Sequence, residues 1–147
     1  MMTALVGGRI SVAALSLGLA EGALQAALKY ADEREAFGKK IHRFQGVGMQ
    51  LAEVATEIEA ARHLVYQASY DKDHGGNVVK AAAMAKLKAS ETAVRAANMA
   101  VQVHGGYGYI KEFQVERFFR DAKVLTIGEG TSEVQKLVIL KQLMKGD

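Results

Sequence analysis

The clearest hydrophobic pattern lies in the middle of the chain, where apolar residues recur at alternating steps of four and three. One such stripe consists of Val47, Leu51, Val54, Ile58, Ala61, Val65 and Ala68, and a second of Val79, Ala83, Leu87, Val94, Ala97 and Val101. Both spacings are typical of amphipathic helices. The turn-forming cluster Asp73-His74-Gly75-Gly76-Asn77 separates them. A connection this short predicts that the two helices are antiparallel neighbours.

Weaker patterns predict three more helices. One covers residues 8–33, a short one residues 114–121, and the last begins at Ser132 and ends near Met144, with Val134, Leu137, Val138 and Met144 on one side. Residues 34–45 lose the periodicity and are predicted to form a connection. No segment alternates with period two for long enough to indicate a strand. The prediction is therefore a single all-α domain over residues 1–147, an up-and-down four-helix bundle with a short extra helix.

Composition narrows the class of protein. Half of the 147 residues are hydrophobic and 24% are charged, which excludes intrinsic disorder. The absence of proline favours long uninterrupted helices, and the absence of cysteine rules out disulfides, thiolate metal sites and cysteine nucleophiles. The formal charge of +3 comes from basic residues scattered among acids, so no nucleic-acid surface is predicted. The four histidines are dispersed, and no metal site is predicted.

The apolar run over residues 10–28 carries a single charge, Glu21, and follows Arg9. A signal peptide has a similar outline. However, Gly18, Gly22 and Gln25 also interrupt the run, whereas a membrane span needs about 18 consecutive apolar residues. We expect a buried bundle helix and no membrane span.

Near the C-terminus, Glu129 stands between Gly128 and Gly130, directly before the start of the last predicted helix. Ser132 and Gln135 have the spacing of a capping box, which places Glu129 in irregular backbone ahead of the first helical turn. Flanking glycines allow unusual backbone conformations and a close approach by a ligand. A turn whose acid merely favours the positive end of the helix dipole is the alternative, and spacing alone favours it.

Two other segments carry candidate chemistry. Arg34-x-x-Phe37-Gly38, followed by Phe44-Gln45, combines a cation suited to phosphate with an aromatic suited to a flat ring. A helix end with a cationic cap and a buried Phe is the alternative. Residues 102–109, Gln-Val-His-Gly-Gly-Tyr-Gly-Tyr, are either a helix C-cap with its loop or a place where backbone meets a ligand. Phosphate loops of the Rossmann kind precede a helix after a strand, so that class is excluded.

Taken in order along the whole chain, these motifs resemble the C-terminal helical domain of the acyl-CoA dehydrogenase family of flavoproteins. The resemblance includes Gly7-Gly8-Arg9, Arg34-x-x-Phe37-Gly38, Phe44-Gln45, Gln102-x-x-Gly105-Gly106-x-Gly108, Arg120-Asp121-Ala122 and Glu129-Gly130-Thr131-Ser132-Glu133. It implies an FAD enzyme of fatty acid β-oxidation that desaturates an acyl-CoA thioester between its α and β carbons. It also implies that electrons pass to electron-transfer flavoprotein, and that the enzyme is a homo-oligomer, either a dimer or a tetramer.

The resemblance also implies roles for single residues. Glu129 corresponds to the base that removes the α proton, Gly130 to a residue lining the acyl site, and Arg9 to an arginine near the reacting end of the substrate. The residues corresponding to contacts with a neighbouring subunit's FAD are Arg34, Phe37, Gln45, Gln102, Gly105 and Gly106. Thr131 and Glu133 correspond to contacts with the nucleotide end of a cofactor. A carboxylate closed into an apolar site suits this chemistry, and we expect Glu129 to be enclosed in that way.

Three positions depart from the pattern of that family or decide between its variants. Val6 stands where an aspartate is common, which weakens the inference around Arg9, and Gly128 stands where tyrosine is frequent, which leaves the chain-length preference open. Some relatives take their base from the position of Gly8, and because glycine cannot serve, Glu129 is the candidate.

The family's N-terminal helical and middle β domains have no counterpart in this sequence. We therefore expect a fragment of a longer enzyme, inactive in isolation, cytoplasmic if bacterial and in the mitochondrial matrix if eukaryotic. The alternative is a non-catalytic helical module for oligomerisation or binding.

Overall fold

The computed structural model describes residues 2–145 and the side chains of residues 5–145. Five α-helices form the domain: α1 (Met2–Glu33), α2 (Gln45–His74), α3 (Val78–His104), α4 (Val115–Leu125) and α5 (Ser132–Leu143). Short 3-10 helices cover Ile41–Arg43 and Gly105–Tyr109. The all-α prediction is confirmed. The extreme ends of the predicted domain, residue 1 and residues 146–147, lie outside the described residues.

Two helix boundaries differ from the prediction. Helix α1 begins at Met2 rather than near Gly8, and α4 continues to Leu125 rather than ending at Asp121. Gly7 and Gly8 suggested a helix start, but a glycine inside a helix costs only about 1 kcal/mol. Burial of the apolar side chains of Val6 and Ile10 along the same stretch offsets that cost.

A small hairpin corrects the expectation of an irregular connection after α1. Strands β1 (Glu35–Ala36) and β2 (Lys39–Lys40) pair antiparallel, with Glu35 opposite Lys40. The two loop residues, Phe37 and Gly38, have φ values of 51° and 78°, as in a type I′ turn. Strands of two residues are too short for a period-two pattern, and Phe is not among the residues that favour this turn.

Helix α3 is the centre of the bundle, because it packs against all four other α-helices. Its buried positions are mostly alanines: Ala82, Ala83, Ala85, Ala89, Ala93, Ala96, Ala97 and Ala100. Small side chains on several faces let neighbouring helices approach closely from more than one direction. The predicted stripe residues Val79, Leu87, Val94 and Val101 are only half-buried, so the single-face pattern understated how much of α3 is enclosed.

The connection between α2 and α3 has the chemistry that its sequence predicts. Gly75 follows α2 with a left-handed φ of 86°, and its N–H donates to Asp71 O at 2.9 Å. Asn77 then caps α3, since its side chain accepts a hydrogen bond from the backbone N–H of Lys80. On α2 the predicted stripe from Leu51 to Ala68 is buried, and Val47 is half-buried.

Helix α1 is long and apolar enough over Leu5–Glu33 to cross a membrane, if length and composition are the only criteria. Gly18, Glu21 and Gly22 interrupt its run of apolar residues, but the helix as a whole stays apolar enough to meet this criterion. A helix in the core of a bundle also meets it, and α1 has its most extensive packing against α3. Ala13, Ala20, Ala27 and Ala31 are fully buried there, so we interpret α1 as a core helix.

The apolar residues predicted on one side of α5 do not face the core of this chain. Leu137 is 66% exposed and Met144 77%, while Val134 is also exposed. The residues of α5 that are buried are polar, Ser132 and Gln135. The α5 helix therefore leaves an apolar surface on the described chain, as expected of a domain that pairs with another copy or another domain.

Candidate active site

Glu129 and Gly130 lie in the turn between α4 and α5 with φ values of 55° and 96°. For a residue other than glycine this left-handed region costs on the order of 1–3 kcal/mol and is enriched at functional sites. Among the described residues, the non-glycine residues with positive φ are Phe37 and Glu129. Both were singled out from the sequence, one as a cofactor contact and the other as the base.

The helix start after this turn differs from the predicted capping box. Thr131, rather than Ser132, is the N-cap of α5, and its Oγ1 accepts a hydrogen bond from the N–H of Val134 at 3.3 Å. The side chain of Gln135 does not bond back to the cap. Its Nε2 instead donates to the carbonyl oxygens of Glu129 (3.1 Å) and Gly130 (2.9 Å).

A second donor reaches the turn from α3. Lys86 is completely buried, and its Nζ donates to the carbonyl oxygen of Gly130 at 2.8 Å. Burial, and then the positive charge of Arg9, lower the pKa of Lys86, while Glu129 and Glu133 oppose that shift. Neither Lys86 nor this use of Gln135 was predicted from the sequence. A lysine at helical spacing among Ala82, Ala89 and Ala93 was the available signal.

The carboxylate of Glu129 lies over Gly8 of α1. A Cβ placed on Gly8 would come within 2.7 Å of the Glu129 Cδ, so only a glycine leaves the carboxylate this position. The side chain of Glu129 is exposed on the described chain. The expected apolar enclosure is thus not formed by this chain.

Arg9, the neighbour of Gly8, is buried in the structure with 8% of its surface exposed. Its Nε has no hydrogen-bond partner among the described residues. It lines a cavity of about 240 Å³ together with apolar residues of α1 and with Lys141 and Gln142 of α5. Arg9 and Gly8 thus lie at one end of the bundle with the Glu129 turn.

Arg34, Gly105 and Gly106 line one groove of about 560 Å³ at the other end of α1. A Cβ on either glycine would meet nothing within 4 Å, so neither glycine is required for packing inside this chain. The backbone is therefore open to a ligand. The structure brings these three predicted cofactor contacts together.

The remaining predicted cofactor contacts lie on separate surfaces. Phe37 is 96% exposed at the tip of the hairpin, and its ring lies 6.2 Å from that of Phe44, next to Gln45 at the start of α2. Gln102 is exposed and lines a smaller cleft between α2 and α3. Phe37 is therefore not buried in this chain, which contradicts the alternative of a helix end with a buried Phe at this position.

Thr131 and Glu133 line a further groove of about 520 Å³, whose walls include Arg95 and Lys123. Hydrogen bonds from its own backbone N–H and from the Thr131 hydroxyl lower the pKa of Glu133. The groove thus combines the cations Arg95 and Lys123 with acceptor oxygens on Thr131 and Glu133. It is separate from the groove that Arg34 lines.

His104 packs beneath the glycine segment. Its ring stacks on Tyr30 with centroids 4.2 Å apart, it meets Phe113 edge-on, and its Nδ1 donates to Ala100 O at 2.7 Å. Burial lowers the pKa of His104. The alternative that residues 102–109 form a helix C-cap with its loop is thus partly correct, because His104 in this segment is a core residue.

Acid is expected to destabilise the chain through His104. Above the unfolded-state pKa, about 6.5, the residue is neutral in both states and contributes nothing. As the pH falls through that value, the unfolded chain binds a proton that the folded chain resists, so stability is lost. Urea unfolding at pH 7.5 and pH 5.5 should show a smaller loss in His104→Phe than in wild type. His63→Phe, on the exposed side of α2, should lose as much as wild type.

Fold and site together define an all-helical domain that carries a carboxylate on a strained, hydrogen-bonded turn. The family model described as "Acyl-CoA dehydrogenase, C-terminal domain" matches residues 1–144. The chain therefore belongs to the acyl-CoA dehydrogenase family and contains its C-terminal helical domain.

Individual relatives agree with the family match. The chain is 56% identical over 139 residues to a probable acyl-CoA dehydrogenase, YngJ, of Bacillus subtilis, with 95% of this chain and 37% of that protein covered. It is 52% identical to the CarC subunit of the caffeyl-CoA reductase–Etf complex of Acetobacterium woodii, with 94% of this chain and 36% of that protein covered. The structure superimposes on butyryl-CoA dehydrogenase from Megasphaera elsdenii with a TM-score of 0.95 at 48% identity, covering 97% of this chain and 37% of that one. The chain thus spans little more than a third of the length of these relatives.

Proposed function

We propose that this chain is the helical part of an FAD-dependent enzyme that desaturates an acyl-CoA thioester between its α and β carbons. The remaining two thirds of a relative's length would supply the rest of the cofactor and substrate sites, so the isolated chain is expected to be inactive. Electron-transfer flavoprotein is the proposed electron acceptor, and the name of the CarC relative, a subunit of a reductase–Etf complex, supports that partner.

The observation that carries the proposal is the Glu129 turn. A carboxylate held in a left-handed conformation, exposed on this chain and set over a glycine, gains no evident stability from that placement. Strain of this kind persists where the surrounding structure determines it, and here Lys86 and Gln135 hold both flanking carbonyls. A group positioned in this way is suited to proton abstraction.

The proposed reaction divides between the chain and its cofactor. Glu129 takes the α proton on its carboxylate, and the electron pair of that C–H bond becomes the second bond between the α and β carbons. The β hydrogen would leave with its electron pair as a hydride, and FAD, when bound, would supply the acceptor. Gly130 would line the acyl site, and Arg9 would lie near the reacting end of the substrate.

The residues present fit FAD as a cofactor shared with other parts of the assembly. Arg34 with the open backbone at Gly105 and Gly106 suits a phosphate group. Phe37 and Gln45 offer an exposed ring and amide nearby, Gln102 adds a further polar contact, and Thr131 with Glu133 suits ribose hydroxyls. These surfaces are separate and open, which supports contacts to the cofactor of a neighbouring subunit.

The isolated 147-residue chain is expected neither to hold FAD tightly nor to oxidise acyl-CoA. Its candidate cofactor surfaces are open grooves rather than an enclosed site. Visible absorbance after purification, with and without added FAD, measures this directly. A stoichiometric yellow complex would contradict the prediction, whereas a colourless helical oligomer would also fit the alternative of a non-catalytic assembly module.

Replacing Gly8 by Ala in the complete enzyme is expected to slow flavin reduction by about tenfold without lowering stability. The new Cβ would overlap the Glu129 carboxylate and displace it, and small displacements of a catalytic group carry costs of this size or larger. Alanine also favours the helix, so the melting temperature should stay or rise. Gly18→Ala is the matched control, because its Cβ would meet nothing within 4 Å on the same helix. Equal rates in both variants would contradict the placement of Glu129 over Gly8.

A further inference from the structure

Lys86 is the one lysine that is buried among residues 5–145. Taking an ammonium group out of water is unfavourable unless it is paired or bonded. The hydrogen bond that Nζ makes is to the carbonyl oxygen of Gly130, 44 residues further along the chain. Of the nearby acids, Glu129 and Glu133 belong to the same turn and helix start and Glu91 belongs to α3, while the positive charge of Arg9 opposes that of Lys86.

The carbonyl oxygen of Gly130 accepts two hydrogen bonds, one of them from Lys86. Gln135, itself fully buried, donates its Nε2 to the same Gly130 oxygen from the opposite helix. The same amide nitrogen also donates to the carbonyl oxygen of Glu129. The peptide groups on both sides of the Gly130 Cα are thereby fixed in direction. The Glu129 Cα lies in the first of these two peptide planes, so the point from which the Glu129 side chain starts is held as well.

We propose that Lys86 is a positioning residue, which together with Gln135 holds the Glu129–Gly130 turn in its left-handed conformation and keeps the Glu129 carboxylate over Gly8. This inference rests on the proposed role of Glu129 as the base. Lys86 itself touches no substrate in this arrangement, since its ammonium group is buried behind the turn. It acts through the backbone of Gly130.

If Lys86 only stabilised the fold, its replacement would have a different effect from the replacement of a residue that positions Glu129. Replacing a buried charged group by an apolar side chain of similar volume is often neutral or stabilising, because the cost of dehydration disappears. Lys86→Met should therefore keep or raise the melting temperature. If the lysine positions the turn, the same variant should nevertheless be slow in the step that Glu129 performs.

The test uses the complete, flavin-loaded enzyme and follows flavin reduction after rapid mixing with saturating butyryl-CoA. We expect Lys86→Met to lose about tenfold in that rate constant, the effect of one hydrogen bond. Flavin content and the affinity for a non-oxidisable thioester analogue should stay within twofold of wild type, which separates positioning from binding. Lys88→Met is the matched control, since Lys88 lies two residues along α3, beside Glu57 instead of the turn, and should react at the wild-type rate.

Glu129→Gln, measured alongside, separates a failure of the positioning role of Lys86 from a failure of the proposed function. A slow Glu129→Gln enzyme with Lys86→Met within twofold of wild type overturns the positioning role alone. A wild-type rate in Glu129→Gln overturns the proposed function and this inference with it. If Lys86→Met does not fold or hold flavin, Gln135→Met takes its place, because it withdraws the other donor from the same carbonyl. A loss of about tenfold in the flavin-reduction rate constant of Gln135→Met then supports the positioning role, and a rate constant within twofold of wild type overturns it.

Discussion

Glu129→Gln in the complete enzyme is expected to retain FAD while flavin reduction by acyl-CoA falls by at least about 10²-fold. The amide keeps the size and hydrogen-bonding head of the side chain but cannot accept the α proton. A factor of 10² is the low end of what a positioned acid or base contributes. Rapid-mixing spectroscopy of the flavin band at saturating substrate measures the step directly.

Glu133→Gln is the internal control for that experiment. Glu133 lies four residues further on, in the first turn of α5, and lines the groove with Lys123 rather than the space over Gly8. Its replacement should alter the affinity for cofactor more than the rate of proton removal. If the Glu129→Gln enzyme reduces its flavin at the wild-type rate, another group is the base. The alternative interpretation then holds, in which Glu129 is an acid in a glycine turn that favours the positive end of the helix dipole.

Gly108→Ala is expected to cost the chain about 3 kcal/mol of unfolding free energy, the upper part of the range for overpacking. A Cβ at this buried glycine would come within 2.9 Å of the Val101 Cα and 3.0 Å of the His104 Cβ, and closer still to a backbone oxygen of α3. Backbone at the end of α3 cannot move aside as a flexible side chain would. Chemical denaturation followed by circular dichroism gives the difference.

Gly106→Ala provides the comparison for that variant. It lies two residues earlier in the same 3-10 segment, and its Cβ would meet nothing within 4 Å. Its stability should stay within about 0.5 kcal/mol of wild type, as for surface substitutions generally. Equal losses at both positions would show that the segment needs glycine for its backbone conformation rather than for the contact with α3.

The helices were predictable because their signals are local. The α2 stripe of Leu51, Val54 and Ile58 is buried as the four-and-three spacing requires, and the Asp73–Asn77 cluster turns the chain where it should. The family resemblance also lay in the order of the short motifs, which the family match confirms. The α1–α2 hairpin was not predictable, since its two-residue strands form around a Phe that takes a conformation usually left to Asn or Gly.

The arrangement of the candidate site depends on contacts that no local pattern encodes. Glu129, Gly8 and Lys86 come from three segments, and neither spacing nor composition shows that they meet. Gln135 looked like half of a capping box because its distance from Ser132 is right, yet Thr131 takes the cap and frees the amide for the turn.

Local patterns were enough to identify the helices, the turn between α2 and α3, and the acid that stands between two glycines. The folded structure was needed to show that α3 packs against the four other α-helices, that the apolar side of α5 is exposed, and that a buried lysine donates a hydrogen bond to the Glu129 turn. Helical periodicity and turn chemistry depend on residues a few positions apart, so a sequence displays them. Burial and hydrogen bonding across 44 residues depend on how whole helices pack, and they exist only once the chain has folded.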